Sequence, residues 1–382
     1  MILKTKDFQE TCKTILLAVD GTAADLELRS HNNWLYLTIA NQEYYVSNKV
    51  AVTDAVEAFR AVVPATIFLD LVSGLTSEDF ELSVDNNTVV VKTSKSSYKI
   101  PMIFNNEDLI EVPVIKIDNV TVQMPIKQEI LNSIVQVNSK ELQKLKGTAA
   151  ANLNELQKLY YITDEGCFTF ATGACLNTFN LEKPIKILVN DRIVKLFKLF
   201  KSDVNFTYGV DEVNGSVQSK ICLQTDSLYL CAVITNDNIL LNKVVGPYTA
   251  TKNYLTSTYE NNVVVSIPAL STAVNRLWSF MKNNINSLKA KNIVVAKIEL
   301  THSEMKLSDD KDNTEVLSLE TGSFVSEDNF IMNINLLDLK LILDANKLGY
   351  LTINCGSAKS VVITKDGVSN VIPKVQVNYG TN

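Results

Sequence analysis

Two histidines and six cysteines are the residues of this chain best suited to acid–base, nucleophilic or metal chemistry. His31 and His302 fall in different stretches, His302 inside the strand-like "KIELTHSEMKLS", and no Ser–His–acid arrangement can be read around it. Cys12, Cys167, Cys175, Cys222, Cys231 and Cys355 include no C-x-x-C pair, the spacing that would hold zinc or cycle as a redox couple, so they read as reduced, mostly buried thiols. The segment "SDDKDNTE" (308–315) crowds Asp309, Asp310, Asp312 and Glu315 as a calcium loop does. It lacks the glycine and the ligand spacing of one and reads as a solvated hairpin turn. No glycine-rich phosphate loop appears. The expectation is a protein that is not an enzyme and carries no cofactor and no metal.

The bulk properties bound the class of protein. The 382 residues are more than one hydrophobic core usually organises, and 46% apolar with 20% charged residues is the composition of a soluble globular protein. No apolar run approaches the ~18 residues needed to span a bilayer, and "MILKTKDFQE" reaches charge too soon for a secretory leader. A cytoplasmic protein with no membrane partner is expected. The net charge of -6 does not advertise nucleic acid, but it says nothing about how charge is distributed over the surface.

The elements that must position any site form a repeat. "PATIFLDLVSGL" (64–75) is an amphipathic helical stretch, followed by "SEDFELSVDNNTVVVKTSKSSYKIP" (77–101), two alternating strands around the turn Asp85-Asn86-Asn87. The same succession returns with "NDRIVKLFKLFKS" (190–202) and with "NLLDLKLILDANK" (335–347), each leading into β-rich segments joined by Asn, Asp or Gly turns. Each unit has a preceding partner of its own kind, with helices over 6–19, 126–137 and 267–283. The pattern helix–strands–helix–strands thus occurs three times. Junctions at 111–125 and at 244–262, the latter polar with Gly246-Pro247 at its head, divide the chain into domains 1–119, 120–250 and 251–382. The fold class is α+β: three similar domains, each with two helices on antiparallel sheets, able to form an arc with the helices on its concave side.

The helices show what such a face would present. In "NDRIVKLFKLFKS", Ile193, Leu196, Phe197 and Phe200 cluster within about 100° of arc as a core stripe. Lys195 and Lys198 point the other way, with Arg192 and Lys201 at the margins. Lys13 lies in the first helix, Lys127, Lys140, Lys144 and Lys146 in and after the third, and Arg276 and Lys282 in the fifth. A basic concave face in an acidic protein is the footprint of contact with a phosphate backbone without base readout.

At these segments the sequence resembles the bacterial DNA polymerase III beta subunits, the sliding clamps. "VPATIFLDLVSGL" with "ELSVDNNTVVVKTSKSSYKIP" is similar to the family's first-domain segment. "FATGACLNTF" sits where the family has a Thr-Asp-Gly-His-Arg-Leu motif, and "NVIPKVQV" resembles its terminal apolar-apolar-Pro signature. The resemblance covers essentially the whole chain. It implies an arc of three like domains, two arcs closing head to tail into a ring around double-stranded DNA, with a replicative DNA polymerase and a clamp loader as partners. The helical stretch at 64–75 lacks basic residues common in the family, Ala174-Cys175 replaces the His-Arg of the motif, and "NYGTN" extends past the usual end, all suggesting a divergent, phage-borne member.

The resemblance also implies an apolar groove for a partner's linear motif. It would use Leu156, Thr172, Gly173 and Leu176 from domain two, Pro247 and Tyr254 from the linker, and Val371, Ile372 and Pro373 from the C-terminal strand. Trp278 and Phe280, late in the fifth helix, are candidates for the seam of a homodimer and equally for the core. Two other classes remain open at this stage: a repeat-built structural or virion protein whose helices face protein, and an enzyme of unrecognised type.

Overall fold

Six times along the chain a strand leads into a helix that is followed by three antiparallel strands. The computed structural model describes residues 1–21, 24–52, 58–135, 155–169, 175–213, 215–281, 294–327, 329–365 and 368–376. The first repeat is β1 (Ile2–Lys4), α1 (Thr5–Leu16), β2 (Asp25–His31), β3 (Trp34–Ala40) and β4 (Tyr44–Ala51). The second is β5 (Arg60–Pro64), α2 (Ala65–Ser73), β6 (Asp79–Asp85), β7 (Thr88–Lys92) and β8 (Ser97–Pro101), followed by the small hairpin β9 (Phe104–Asn105) and β10 (Asp108–Leu109). The third is β11 (Val120–Ile126), α3 (Gln128–Val135), β12 (Leu159–Thr163), β13 (Gly166–Thr169) and β14 (Cys175–Thr178). The fourth is β15 (Lys186–Asn190), α4 (Asp191–Leu196), β16 (Val204–Val213), β17 (Ser216–Gln224) and β18 (Leu228–Ile234). A long helix, α5 (Asn238–Leu255), precedes the fifth repeat of β19 (Asn261–Ser266), α6 (Ile267–Met281), β20 (Val295–Leu300), β21 (Glu304–Ser308) and β22 (Thr314–Ser318). The sixth is β23 (Phe330–Asn335), α7 (Leu336–Ala345), β24 (Tyr350–Cys355), β25 (Ser360–Lys365) and β26 (Val368–Pro373).

The repeats exchange their first strands. β1 joins β6-β7-β8 while β5 joins β2-β3-β4, and the same exchange gives β11-β16-β17-β18 with β15-β12-β13-β14 and β19-β24-β25-β26 with β23-β20-β21-β22. In β20 Ala296, Ile298 and Leu300 are buried and alternate with half-buried positions, the pattern of a sheet with one face beneath helices, whereas β12 and β13 are buried throughout. In the first repeat pair α1 packs on α2 through Phe8, whose ring meets those of Phe68 at 6.1 Å and Phe80 at 5.4 Å. Turns fall where Asn tolerates positive φ: Asn86 has φ 51° between β6 and β7.

Two compact units result: Met1–Leu131 with Arg192–Asn236, and Asn132–Asp191 with Asp237–Asn382. The division runs through the span 120–250. In the first unit β18 pairs with β4, from Leu228 opposite Asn48 to Ala232 opposite Tyr44, which merges two four-stranded sheets into one of eight strands. In the second unit β14 lies beside β26.

The first junction is not a loose linker. Ile115 and Ile117 pack on Cys222, Cys231, Tyr45 and Tyr229 of the eight-stranded sheet. Beneath it Lys220 Nζ pairs with Asp211 at 2.9 Å and donates to the Lys116 carbonyl at 3.0 Å, while Asp211 accepts the backbone N–H of Asn119 at 2.7 Å. Gly209 is required there, because a Cβ would run into Ile117 and the Asn119 carbonyl. The second expected junction is a helix as far as Leu255. Asp237 caps it, accepting from the amides of Ile239 at 2.7 Å and Leu240 at 3.1 Å, and Pro247 sits inside it at the loss of one helical hydrogen bond.

Candidate nucleic-acid and partner surfaces

The fourth helix is shorter than its sequence pattern suggests. α4 ends at Leu196 and tightens into a 3₁₀ turn over Phe197–Leu199. Ile193, Leu196, Phe197 and Phe200 are buried as expected, but Val194 and Leu199 are buried too, so the polar margin is narrow. Lys198 and Lys201 are exposed and Lys195 is half-buried. Arg192 is committed elsewhere: it pairs with Asp20 and with Glu43 (2.9 Å), and its guanidinium lies 5.3 Å from the centre of the Tyr44 ring. That corrects its place at the margin of the expected basic face. Lys127 is exposed, and the exposed Lys13 is paired with Glu10 at 2.6 Å. Arg276 pairs with Glu315 at 3.3 Å. Lys140, Lys144, Lys146 and Lys282 lie outside the described residues.

The expected groove residues collect around α5, with its apolar side filled. Leu159, Tyr161, Phe168, Leu176 and Leu188 of the β12–β15 sheet form one cluster with Leu240, Val244 and Tyr248 of α5, and Leu156 packs at its margin. Tyr248 is the centrepiece. Its ring meets Tyr161 edge-on at 5.2 Å and Phe168 at 6.0 Å, and its hydroxyl lies 3.2 Å from Thr163 Oγ1 and donates to Glu165 Oε2 at 3.5 Å. Lys252, one turn on, pairs with Glu165 and holds that carboxyl below its ordinary range. Pro247 and Tyr254 are half-buried on the same helix. Val371 and Ile372 are buried at 1% and 4% exposure in β26, next to α5, and only Pro373 is exposed. Leu176, Val371 and Ile372 are therefore core here and not the open walls the resemblance implied. Thr172 and Gly173 lie outside the described residues.

The arrangement has close structural counterparts. A DNA polymerase III beta subunit from Borrelia burgdorferi, in complex with a natural product, superposes with a TM-score of 0.73 at 13% identity over 99% of both chains. One from Thermotoga maritima gives 0.69 at 13% identity over 98% of this chain and 99% of that one. The Helicobacter pylori beta clamp bound to a DNA ligase peptide gives 0.66 at 15% identity over 98% and 99%. The chain has the sliding-clamp fold. No sequence family and no curated protein matches it.

His31 ends β2 and His302 sits in the turn between β20 and β21, both exposed. Asp309 stays in its hairpin turn, accepting from the backbone N–H of Lys311 and Asn313, at 2.9 Å each, and from Asn313 Nδ2 at 2.6 Å. Cys12, Cys167, Cys222, Cys231 and Cys355 are buried thiols outside any disulfide, and burial pushes the Cys222 thiol up to about 11 and Cys231 to about 12. Trp278 is buried in α6 at 8% exposure, whereas Phe280 is 62% exposed, so of the two seam candidates Trp278 is core. No described helix is long and apolar enough to cross a membrane. The Lys220–Asp211 pair and α5 escape a reading of the sequence. An Asp followed by "NILLNKVV" is the available signal for the helix, and Pro247 masks it.

Proposed function

We propose that this chain is a DNA sliding clamp, a ring that encircles duplex DNA and tethers a replicative polymerase. The observation that carries the proposal is the pattern of open edges. Each repeat pair ends two sheets at the last strand of a repeat. Of those six strands, β4 is paired with β18 and β14 lies beside β26. β8 and β22 are left at the ends of their sheets, and a second copy offers β22 to β8 and β8 to β22. The seam would take in Tyr98 on β8 and Val316 on β22, with Phe280 beside it, each an exposed apolar side chain. Two chains closed this way would present Lys13, Lys127, Lys195, Lys198 and Lys201 toward the phosphate backbone, where screened contacts are equivalent at every register and permit sliding. Polymerase and loader motifs would dock along the outer side of α5 and the exposed Pro373. The protein would act in the cytoplasm, that of a host if a phage encodes it.

The decisive experiment is topological. Protein loaded on a nicked circle is expected to survive a high-salt wash and to leave when the circle is cut, because a threaded ring runs off an end. Retention that ignores the cut would sink the reading.

A further inference from the structure

The outer face of the eight-stranded sheet in the first unit is covered unevenly. Over β16–β18 the first junction seals it through Ile115, Ile117 and the buried Lys220–Asp211 pair. At the border with β2–β4 lies a concavity of about 420 Å³. Its floor is polar. Thr38 and Ser47 point to this face by strand alternation yet are only 2% and 9% exposed, and the Thr38 hydroxyl donates to Ser47 Oγ at 3.0 Å. Its walls are aromatic: Tyr45 and Tyr229 meet edge-on at 6.0 Å, and Tyr36 stands on β3. Glu27, Arg29 and His31, successive outward positions of β2, form its rim.

Cations alternate with these rings. Arg29 lies opposite Tyr36 in the β2–β3 register, and Lys49 lies opposite Tyr36 in the β3–β4 register, with its ammonium 4.6 Å above the Trp34 ring. Arg60, opposite Arg29, is paired with Glu27 and donates to the Ile110 carbonyl at 3.0 Å. Arg29, Lys49 and Arg60 outnumber Asp25 and Glu27 on this face, on a protein whose net charge is -6. A flat ring to stack, an edge to meet hydroxyls and an anion to pair are together the chemistry of a nucleotide. The volume suits one such unit. A duplex cannot use the site, because its bases are already stacked and paired.

We propose that this concavity seats one nucleotide of a single-stranded nucleic acid, its base against Tyr36, Tyr45 and Tyr229 and its phosphate at Arg29. Trp34, two residues from Tyr36 on the same face and so about 6.8 Å along the strand, takes the neighbouring base once Lys49 turns to the next phosphate. The site is distinct from the helix surface proposed to face duplex DNA, and it does not require a closed ring.

The test is binding of a fluorescein-labelled twelve-nucleotide oligothymidylate to the intact protein at low salt, followed by anisotropy. Trp34 emission gives a second readout, since the other tryptophan, Trp278, is buried. Binding with quenching of Trp34 is expected. Tyr36→Ala should weaken it about tenfold or more, as loss of one stacked base does. Arg29→Glu should weaken it and flatten the salt dependence by roughly 0.7 in slope for each phosphate that is no longer neutralised. Arg29 is exposed and Tyr36 half-buried, so thermal midpoints and circular dichroism are used to confirm that each variant is folded. Thymidine monophosphate should compete only weakly, for want of the second base and phosphate. The proposal is overturned if the oligonucleotide does not bind, if both variants bind it as wild type does, if the free mononucleotide binds as tightly as the strand, or if a polyglutamate peptide binds equally well with the same sensitivity to Arg29→Glu.

Discussion

Lys195 and Lys198 separate a folding role from a binding one. Lys198 is exposed and Lys195 half-buried, beside a turn whose Ile193, Leu196, Phe197 and Phe200 are buried. The double substitution to Glu is expected to shift stability by no more than ~0.5 kcal/mol while weakening retention on DNA, most strongly at low salt, where phosphate attraction is least screened. Equal retention by wild type and variant across a salt series would remove these lysines from any DNA channel. The buried Lys220–Asp211 pair behaves oppositely. With side-chain exposures of 7% and 3%, it leaves a bare charge when either partner is lost. Lys220→Met is expected to cost about 3–5 kcal/mol in urea unfolding. Burial alone would push the Asp211 carboxyl up, but Lys220 and the Asn119 and Asp118 amides outweigh it and hold the group below its ordinary 3.8. A depressed carboxyl contributes stability at pH values above its unfolded value and loses that contribution as pH falls through the folded one. Stability of the wild type should therefore drop below about pH 4 more steeply than that of Asp211→Asn.

At the scale of elements, α5 is the feature to test. Tyr248 fills the centre of the β12–β15 cluster, and Tyr248→Ala is expected to cost ~3 kcal/mol or more through the cavity it leaves. A loss below ~1 kcal/mol in urea melts would mean that the helix docks without its tyrosine. The other helices are legible in the sequence within two or three residues at most ends, because their apolar positions recur at helical spacing: the stretch 267–283 is α6 at Ile267–Met281, and 64–75 contains α2 at Ala65–Ser73. α5 is not legible. Its apolar face is interrupted by Gly246 and Pro247, and only the sheet it covers, distant in sequence, decides that it stays helical. The same lack of long-range information hides Arg192, a surface cation by the pattern of its own helix and held in fact by Asp20 and Glu43, more than a hundred residues earlier. Of the groove residues carried over from the resemblance, Leu176, Val371 and Ile372 are buried. Their burial depends on what α5 does, which no motif encodes.

For the whole molecule, the seam proposal is a statement about mass. Wild type should run as two chains at micromolar concentration, and Tyr98→Glu with Val316→Glu should run as one, since both substitutions put charge on apolar edge positions while leaving the buried faces of β8 and β22 unchanged. The variant should also lose the retention that depends on an uncut circle. A two-chain mass unchanged by both substitutions would move the interface elsewhere. The pairing of strands distant in sequence has a separate consequence, in the order of events on the ribosome. β1 must wait for β6, and β4 must wait far longer, since its partner strand begins at Leu228. Opposite Leu228 stands Asn48, about 180 residues earlier, so at ordinary elongation rates the edge of β4 is exposed for roughly ten to forty seconds. An unpaired edge of this kind recruits foreign strands. The nascent chain is thus most vulnerable to misassembly while residues 52–227 are being made, and slowing translation within that window is expected to raise the insoluble fraction, whereas the same pause placed after residue 240 should not.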